Sequence, residues 1–484
     1  MEQENVWKSY DEEELAELEE LASGYIDFIS EHKIEREFAS GAIAMAEEAG
    51  YVSLTEAIEE GRKLGPGDKV WWHTHGKALL LVQIGKQPIE KGLNILGAHI
   101  DSPRLDVKQN PLYESSDFAL LDTHYYGGIK KYQWTTTPLA IHGVVAKKDG
   151  TVVPVAIGED DGDPVFVITD LLPHLGGEQM KKSASQFIDG ENLDVLVGGR
   201  PLVIDSGDDE DEDDDDDGKD DGKPAWEKLA EKEPVKAGVL KILQEKYGVE
   251  EEDFLSAELE VVPAGRAREL GFDRSMILGY GQDDSVCAYP SFLAQLRAPA
   301  TERTAVTLLV DKEEIGSVGA TGMESLFFEN AMAEIMELAG EGGQIKLRRA
   351  LANSKMLSSD VSAGYDPLYA SVYETKNAAY LGRGLVFNKY TGARGKSGSN
   401  DASAEYVAEV RKVMDDAGVA YQTAELGKVD VGGGGTIAYI PARYDMDVID
   451  SGVAVLSMHA PWEVVSKADL YEAYKGYRAF LLNA

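Results

Sequence analysis

The sequence predicts an α/β fold: a helix-covered mixed sheet interrupted by an inserted β-rich domain. Three observations carry the prediction. Short apolar runs without alternation, ALLLVQI at Ala78–Ile84 and LNIL at Leu93–Leu96, have the pattern of strands buried on both faces. Apolar residues at helical spacing open and close the chain. Between about residues 106 and 262 the texture changes to alternating segments separated by Gly and Asp-Gly turns. Residues 1–105 and 263–484 are therefore expected to form one domain in two parts, with 106–262 inserted between them in sequence.

The opening helix is expected from Ser9 and Glu12 at capping-box spacing and from Leu15, Leu18, Leu21, Tyr25, Phe28 and Ile29 at helical spacing. In the insertion, Ala140–Val145 and Thr151–Ala156 alternate as strands do, and helical texture returns over Trp226–Tyr247. Residues 205–223 hold thirteen acids, two lysines and no aliphatic or aromatic side chain. Such a run has nothing to bury and is expected to be a disordered loop. Beyond the insertion, Thr304–Val310 reads as a buried strand and Met323–Leu338 as a helix. Lys355–Leu357 and Val453–Met458 read as short strands, and Lys467–Leu482 as the closing helix. No repeat of 20–50 residues is visible.

Composition removes several function classes. The chain has 484 residues, 43% of them hydrophobic, which is enough for an ordinary core. Its lone cysteine, Cys287, cannot form an internal disulfide, so a reducing, cytoplasmic setting is expected. No run of ~18 apolar residues exists to span a membrane. The first twenty residues lack the basic-then-apolar order of a signal peptide. With 47 basic and 87 acidic residues the net charge is −40, a field that repels nucleic acid and anionic membranes. The acidic run supplies about −11 of that, so the rest of the surface must be acidic too. Strong screening by salt suits such a surface, and a halophilic source is expected.

Five segments place acids and histidines at the ends of expected strands. In GAHIDSP, His99 and Asp101 lie two apart and so point to the same side of a strand end. A carboxylate on one imidazole nitrogen fixes the tautomer that offers the other to a metal. A surface His–Asp pair is the plainer reading of this segment alone. Asp283 and Asp284 precede an expected helix, where one carboxylate could bridge two cations or simply cap the helix. Glu313 and Glu314 follow strand Thr304–Val310 and face different directions, so one can bind a metal while the other faces its water. Solvated acids are the alternative. Asp360 and His459 each follow an apolar stretch, and a lone histidine there is more often structural. The set is stronger than its members, because the carboxyl rim of an open α/β sheet is where such folds place their sites. Mixed His and carboxylate ligands suit zinc, cobalt or manganese rather than calcium.

Other candidates are weaker. His73 and His75 precede a strand rather than follow it. VGGGGT at 431–436 lacks the strand before it and the Lys-Ser or Lys-Thr after it that a phosphate loop needs. The acidic run lacks the ligand spacing of a calcium loop.

Taken in order, the segments GAHIDSPRLDVKQNPLYE, THYYGGIKKYQW, DFLSAELEVVPAGRARELGFDRSMILGYGQDDSVCAY, DKEEIGSVGA, SSDVSAGYDP and LSMHAPWE resemble the aspartyl aminopeptidase and vacuolar aminopeptidase I family, with the bacterial-type branch closest. The resemblance spans nearly the whole chain. It implies a zinc-exopeptidase-like catalytic domain and a dinuclear site of two divalent ions per chain. Zinc comes first, with cobalt or manganese as alternatives. His99, Asp283 and Asp360 are then expected on one ion and Asp283, Glu314 and His459 on the other. The resemblance also implies Glu313 as general base and Asp101 as the partner of His99. It implies a homo-oligomer, usually a tetrahedral dodecamer, assembled through the inserted domain. One histidine of that domain, matched here by His174, reaches a neighbouring subunit's site to meet substrate.

The chain departs from the family in three places, one of them the acidic run 205–223, an insertion peculiar to this chain. Ser285 stands where an Arg is usual, and Asn388, beside Lys389, stands where aspartyl-specific members carry a Lys. Peptides with a free amine are the expected substrates, and neither nucleic acid nor membrane is an expected partner. A deacylase or carboxypeptidase on the same fold, or a catalytically silent metal-stabilised assembly, are the alternatives.

Overall fold

The structure, a computed structural model, describes residues 4–204 and 224–484. The acidic run 205–223, for which a disordered loop is expected, lies outside the described residues. The chain divides into two compact units, Met1–Pro103 with Arg266–Ala484, and Arg104–Gly265.

The first unit is built on a nine-stranded mixed sheet among the described residues. Its order is Val52–Ser53, Lys69–Thr74, Ala78–Gln83, Thr304–Val310, Leu93–His99, Lys355–Ser359, Asp447–Gly452, Leu385–Asn388 and Tyr421–Thr423. The four strands from Thr304–Val310 to Asp447–Gly452 run parallel, so their carboxyl ends share one rim. Successive side chains of a strand face opposite sides. Leu79 and Leu81 thus join one core layer, and Leu80 and Val82 the other. Leu96 and Ala98 divide from Leu93 and Ile95 in the same way. This two-sided burial is why the strands read as unbroken apolar runs.

Helices Glu12–Glu31, Glu35–Glu48, Gln282–Leu296, Ala404–Asp416 and Lys467–Asn483 contribute to the first layer. Leu54–Glu59, Phe327–Leu338 and Gln344–Ala352 contribute to the second. A smaller five-stranded sheet joins Arg268–Leu270, Met276–Gly279, Glu463–Ser466, Ala454–Leu456 and Ser362–Ala363.

The second unit carries a six-stranded antiparallel sheet ordered Val152–Ile157, Leu139–Ala146, Ala257–Pro263, Arg104–Ser115, Phe118–Tyr126 and Val195–Gly198. Helix Pro234–Tyr247 belongs to the same unit. No helix among the described residues is long and apolar enough to cross a membrane.

Local expectations need four corrections. The first helix is capped by Asp11, whose Oδ1 accepts the N–H groups of Glu13 and Glu14, while Glu14 accepts from the Asp11 N–H. Ser9 instead donates to the Val6 carbonyl at the end of a short 3-10 turn, and Leu15 is exposed. Trp226–Tyr247 is two helices, Ala225–Leu229 and Pro234–Tyr247, because Pro234 has no N–H to continue a helix and is suited to start one. The helix expected from Met323 begins at Phe327. Strand Ala454–Leu456 belongs to the small sheet, while Asp447–Gly452 is the strand of the large sheet there. The sequence hides that strand because Asp447 and Asp450 interrupt its apolar run.

Candidate metal centre

His99 is the last residue of Leu93–His99, at the parallel rim. Its ring Nδ1 lies 2.9 Å from the Asp101 carbonyl oxygen and 3.4 Å from Asp101 Oδ1, which turns Nε2 toward Asp283. The Asp101 carboxylate also accepts the N–H groups of Glu313 at 3.1 Å and Glu314 at 3.2 Å. One acid thus orients the histidine and the glutamate pair together.

The pair sits on a tight turn after Thr304–Val310. Lys312 there adopts the left-handed conformation, φ +72°, which a non-glycine residue holds only when its surroundings fix it. The buried Asp311 carboxylate does so, accepting from the Lys312 N–H at 2.8 Å and from Thr321 Oγ1 at 2.6 Å. Asp360 follows strand Lys355–Ser359, and its N–H donates to Ser451 on the neighbouring strand.

Asp283 and His459 arrive from elsewhere. Asp283 lies past strand Met276–Gly279 of the small sheet, in a non-helical stretch at the start of helix Gln282–Leu296. His459 follows strand Ala454–Leu456, also of the small sheet, with φ +64°. The expectation that all five segments end strands of one sheet is therefore corrected: the large sheet supplies three and the small sheet two. A further strand, Glu463–Ser466, follows His459.

The two supplies meet at Asp283. Its Oδ1 lies 3.2 Å from His99 Nε2 and its Oδ2 lies 3.2 Å from His459 Nε2. Glu314 Oε1 is 3.4 Å from the same His459 nitrogen. Potential ligand atoms lie within 4.8 Å of one another in three sets: His99, Glu313 and Asp360; His99, Asp283 and Glu314; Asp283, Asp284 and Asp360. Glu313, expected as a base, thus sits among the ligand candidates, and so does Asp284. His174 is exposed in the second unit and belongs to none of these sets. His73 and His75 are exposed on a hairpin and also stand outside them. Asn388 is buried and donates to the Ala424 carbonyl at 2.8 Å, and Lys389 pairs with Asp401 at 2.6 Å.

Burial sets the electrostatics. It opposes charge on His99, but hydrogen bonds to Asp101 and Asp283 and the field of Asp284 outweigh it and raise His99 well above its usual value. Burial also works against an ionised Asp283, but hydrogen bonds from His459 and His99 override it and hold that carboxyl low. Burial lifts Glu313 to about 7, with Asp101 and Asp283 adding to the rise. It raises Glu314, Asp360 and Asp284 well above the carboxylate range. So many acids in one dry place call for positive charge. Glu314 Oε1 and Asp284 Oδ1 are buried and have no hydrogen-bond partner. Two imidazoles, several carboxylates and these unsatisfied oxygens fit divalent zinc well.

Sequence reasoning missed two acids. Glu463 accepts the backbone N–H groups of both Asp283 and His459. Asp450 is buried within strand Asp447–Gly452, and Thr436 Oγ1 donates to it at 2.6 Å. A charge inside an apolar stretch was the available signal in both cases: WEVV for the first and DVIDSG for the second.

Donors of this kind, gathered at the carboxyl rim of a helix-covered mixed sheet, place the chain among the metal-dependent hydrolases. Comparison with known proteins narrows the class. Residues 28–481 match the family described as aminopeptidase I zinc metalloprotease, M18. A probable M18 family aminopeptidase 1 from Clostridium acetobutylicum is 57% identical over 479 residues, 99% of this chain and 98% of that protein. The crystal structure of an M18 aminopeptidase from Thermotoga maritima matches with a TM-score of 0.89 at 44% identity, covering 100% of each chain. The chain belongs to the M18 family of metallo-aminopeptidases. The S. cerevisiae mApe1 dodecamer shares the fold at 19% identity, with a TM-score of 0.74 and 96% of each chain covered.

Proposed function

We propose that the cluster holds two divalent ions, zinc first and cobalt or manganese as alternatives, and that the chain uses them to release N-terminal residues from peptides. His99, Asp283 and Asp360 hold one ion and Asp283, Glu314 and His459 the other. The observation that supports this is the Asp283 carboxylate, with one oxygen 3.2 Å from each imidazole. Bound there, such ions polarise the scissile carbonyl and lower the pKa of water. Glu313 takes the proton of the attacking water on its carboxylate and passes it to the leaving amine. Asp101 keeps the backbone of Glu313 and Glu314 and the ring of His99 in register for this. A free substrate amine meets the acidic surroundings of the cluster, which confines cleavage to the first residue.

The same proposal places the protein in the cytoplasm and in a homo-oligomer. The dodecamer among the related folds supports a dodecamer here. The second unit drives that assembly, and its His174 reaches a neighbouring subunit's site, where it steadies the developing oxyanion. A dimeric or monomeric variant with full activity would end that part of the proposal.

The test is hydrolysis of an aminoacyl-nitroanilide panel in high salt, after chelation and return of zinc, cobalt or manganese. Metal-restored activity is expected, falling ~10²–10⁴-fold in Glu313→Gln. Cleavage of N-blocked but not free-amine peptides would instead identify a deacylase.

A further inference from the structure

Glu463 opens strand Glu463–Ser466 and is buried. Its Oε1 accepts the His459 N–H at 2.7 Å, and its Oε2 accepts the Asp283 N–H at 3.0 Å. The register pairs Glu463 with Gly279, which brings the acid beside the segment that carries Asp283. Gln282 fastens the same corner, its Nε2 donating to the Glu463 carbonyl at 2.6 Å and to the Ile277 carbonyl at 3.2 Å. On the other side, Ser102 Oγ donates to the Asp283 carbonyl at 2.9 Å. The Asp283 main chain is therefore clamped through both its N–H and its C=O. Neither Asp283 nor His459 lies in a regular ladder that would fix it otherwise, since one is non-helical and the other left-handed.

We propose that Glu463 is a positioning residue that sets the spacing between Asp283 and His459, and so the affinity of the metal position these two share. This rests on the dinuclear reading above. Both groups that reach Glu463 are N–H donors, and the ionised carboxylate, the form a bound cation favours, offers an acceptor at each end. Gln in its place turns an NH2 toward one of them and loses that bond. Asp keeps both acceptors on a stem one methylene shorter.

The experiment uses the full chain, stripped by chelation, with zinc affinity read by competition against a chromophoric chelator. Wild type, Glu463→Gln and Glu463→Asp are compared, and the Tm of each metal-free protein is recorded. Wild type is expected to bind two zinc ions. Glu463→Gln is expected to weaken the weaker site ~10–100-fold with little change in metal-free Tm. Saturating zinc should return its kcat to within a few-fold of wild type, which it cannot do for Glu313→Gln. Glu463→Asp should fall between. Unchanged zinc affinity with a lowered metal-free Tm means Glu463 serves the fold alone, and the proposal is overturned. Should Glu463→Gln not fold, wild-type affinity in Glu463→Asp overturns it equally. A wild type that binds no zinc sinks the dinuclear reading and this proposal together, whereas two ions in every variant at equal affinity sinks only this one.

Discussion

The two histidines of the cluster live in unlike surroundings. The His99 side chain is 2% exposed and ends a central strand of the large sheet. The His459 side chain is 34% exposed and hangs from a left-handed turn beside the small sheet. Each faces one oxygen of Asp283 at the same 3.2 Å. Equal distance with unequal burial separates two jobs. The His99 side is part of the scaffold, where a charge removed leaves buried acids behind. The His459 side is open, where solvent can replace what is lost and a substrate can approach.

Asp283 joins both sides, so Asp283→Ala should cost most: activity should fall by ~10³-fold or more with every metal tried. Near-normal turnover by that variant would mean the two sides work independently. The histidines should then diverge in stability. His99→Ala leaves Asp101 and Asp283 without their buried partner, and urea unfolding of the metal-free protein should show a loss of about 3–5 kcal/mol. His459→Ala should lose less in the same assay, about 1 kcal/mol, because solvent reaches its place, while still losing activity. Equal losses would erase the distinction between scaffold side and open side.

A smaller effect concerns pH. Burial raises Glu313 to about 7, and it raises Glu463 to about 8, with Asp283 adding to the rise. Their folded values exceed the unfolded value of ~4.3, so the metal-free folded state binds more protons than the unfolded chain. That contribution to stability is complete below pH ~4 and is lost as pH rises through 7 to 8. His99, also raised, adds a loss in the same direction above ~6.5. Cations take over the role of those protons, so the rise in Tm on adding zinc should be a few degrees larger at pH 8 than at pH 5. A zinc-induced shift independent of pH would contradict the burial argument.

Much of the large-sheet side was legible in the sequence. Thr304–Val310 and Leu93–Leu96 declare themselves as two-sided strands, and His99, Glu313, Glu314 and Asp360 stand directly after such strands. The small-sheet side was less so. Its strands are three or four residues long near Asp283 and His459, too short for a period to establish itself. Asp283 therefore reads as the start of a helix and His459 as the end of an apolar stretch, with no sign of a second sheet behind either. Glu463 was hidden for a different reason: it accepts two backbone N–H groups, one 180 residues away and the other four, and tertiary hydrogen bonds leave no local spacing to read. The Ser9 cap failed because two capping boxes, Ser9–Glu12 and Asp11–Glu14, overlap in the sequence, and the turn Val6–Lys8 uses Ser9 for itself.

The most direct test of the shared carboxylate is anomalous diffraction from crystals grown with zinc. Two peaks per chain are expected, one contacting His99 and the other His459, with Asp283 contacting both. A single peak, or two peaks that leave Asp283 bound to only one, would contradict it.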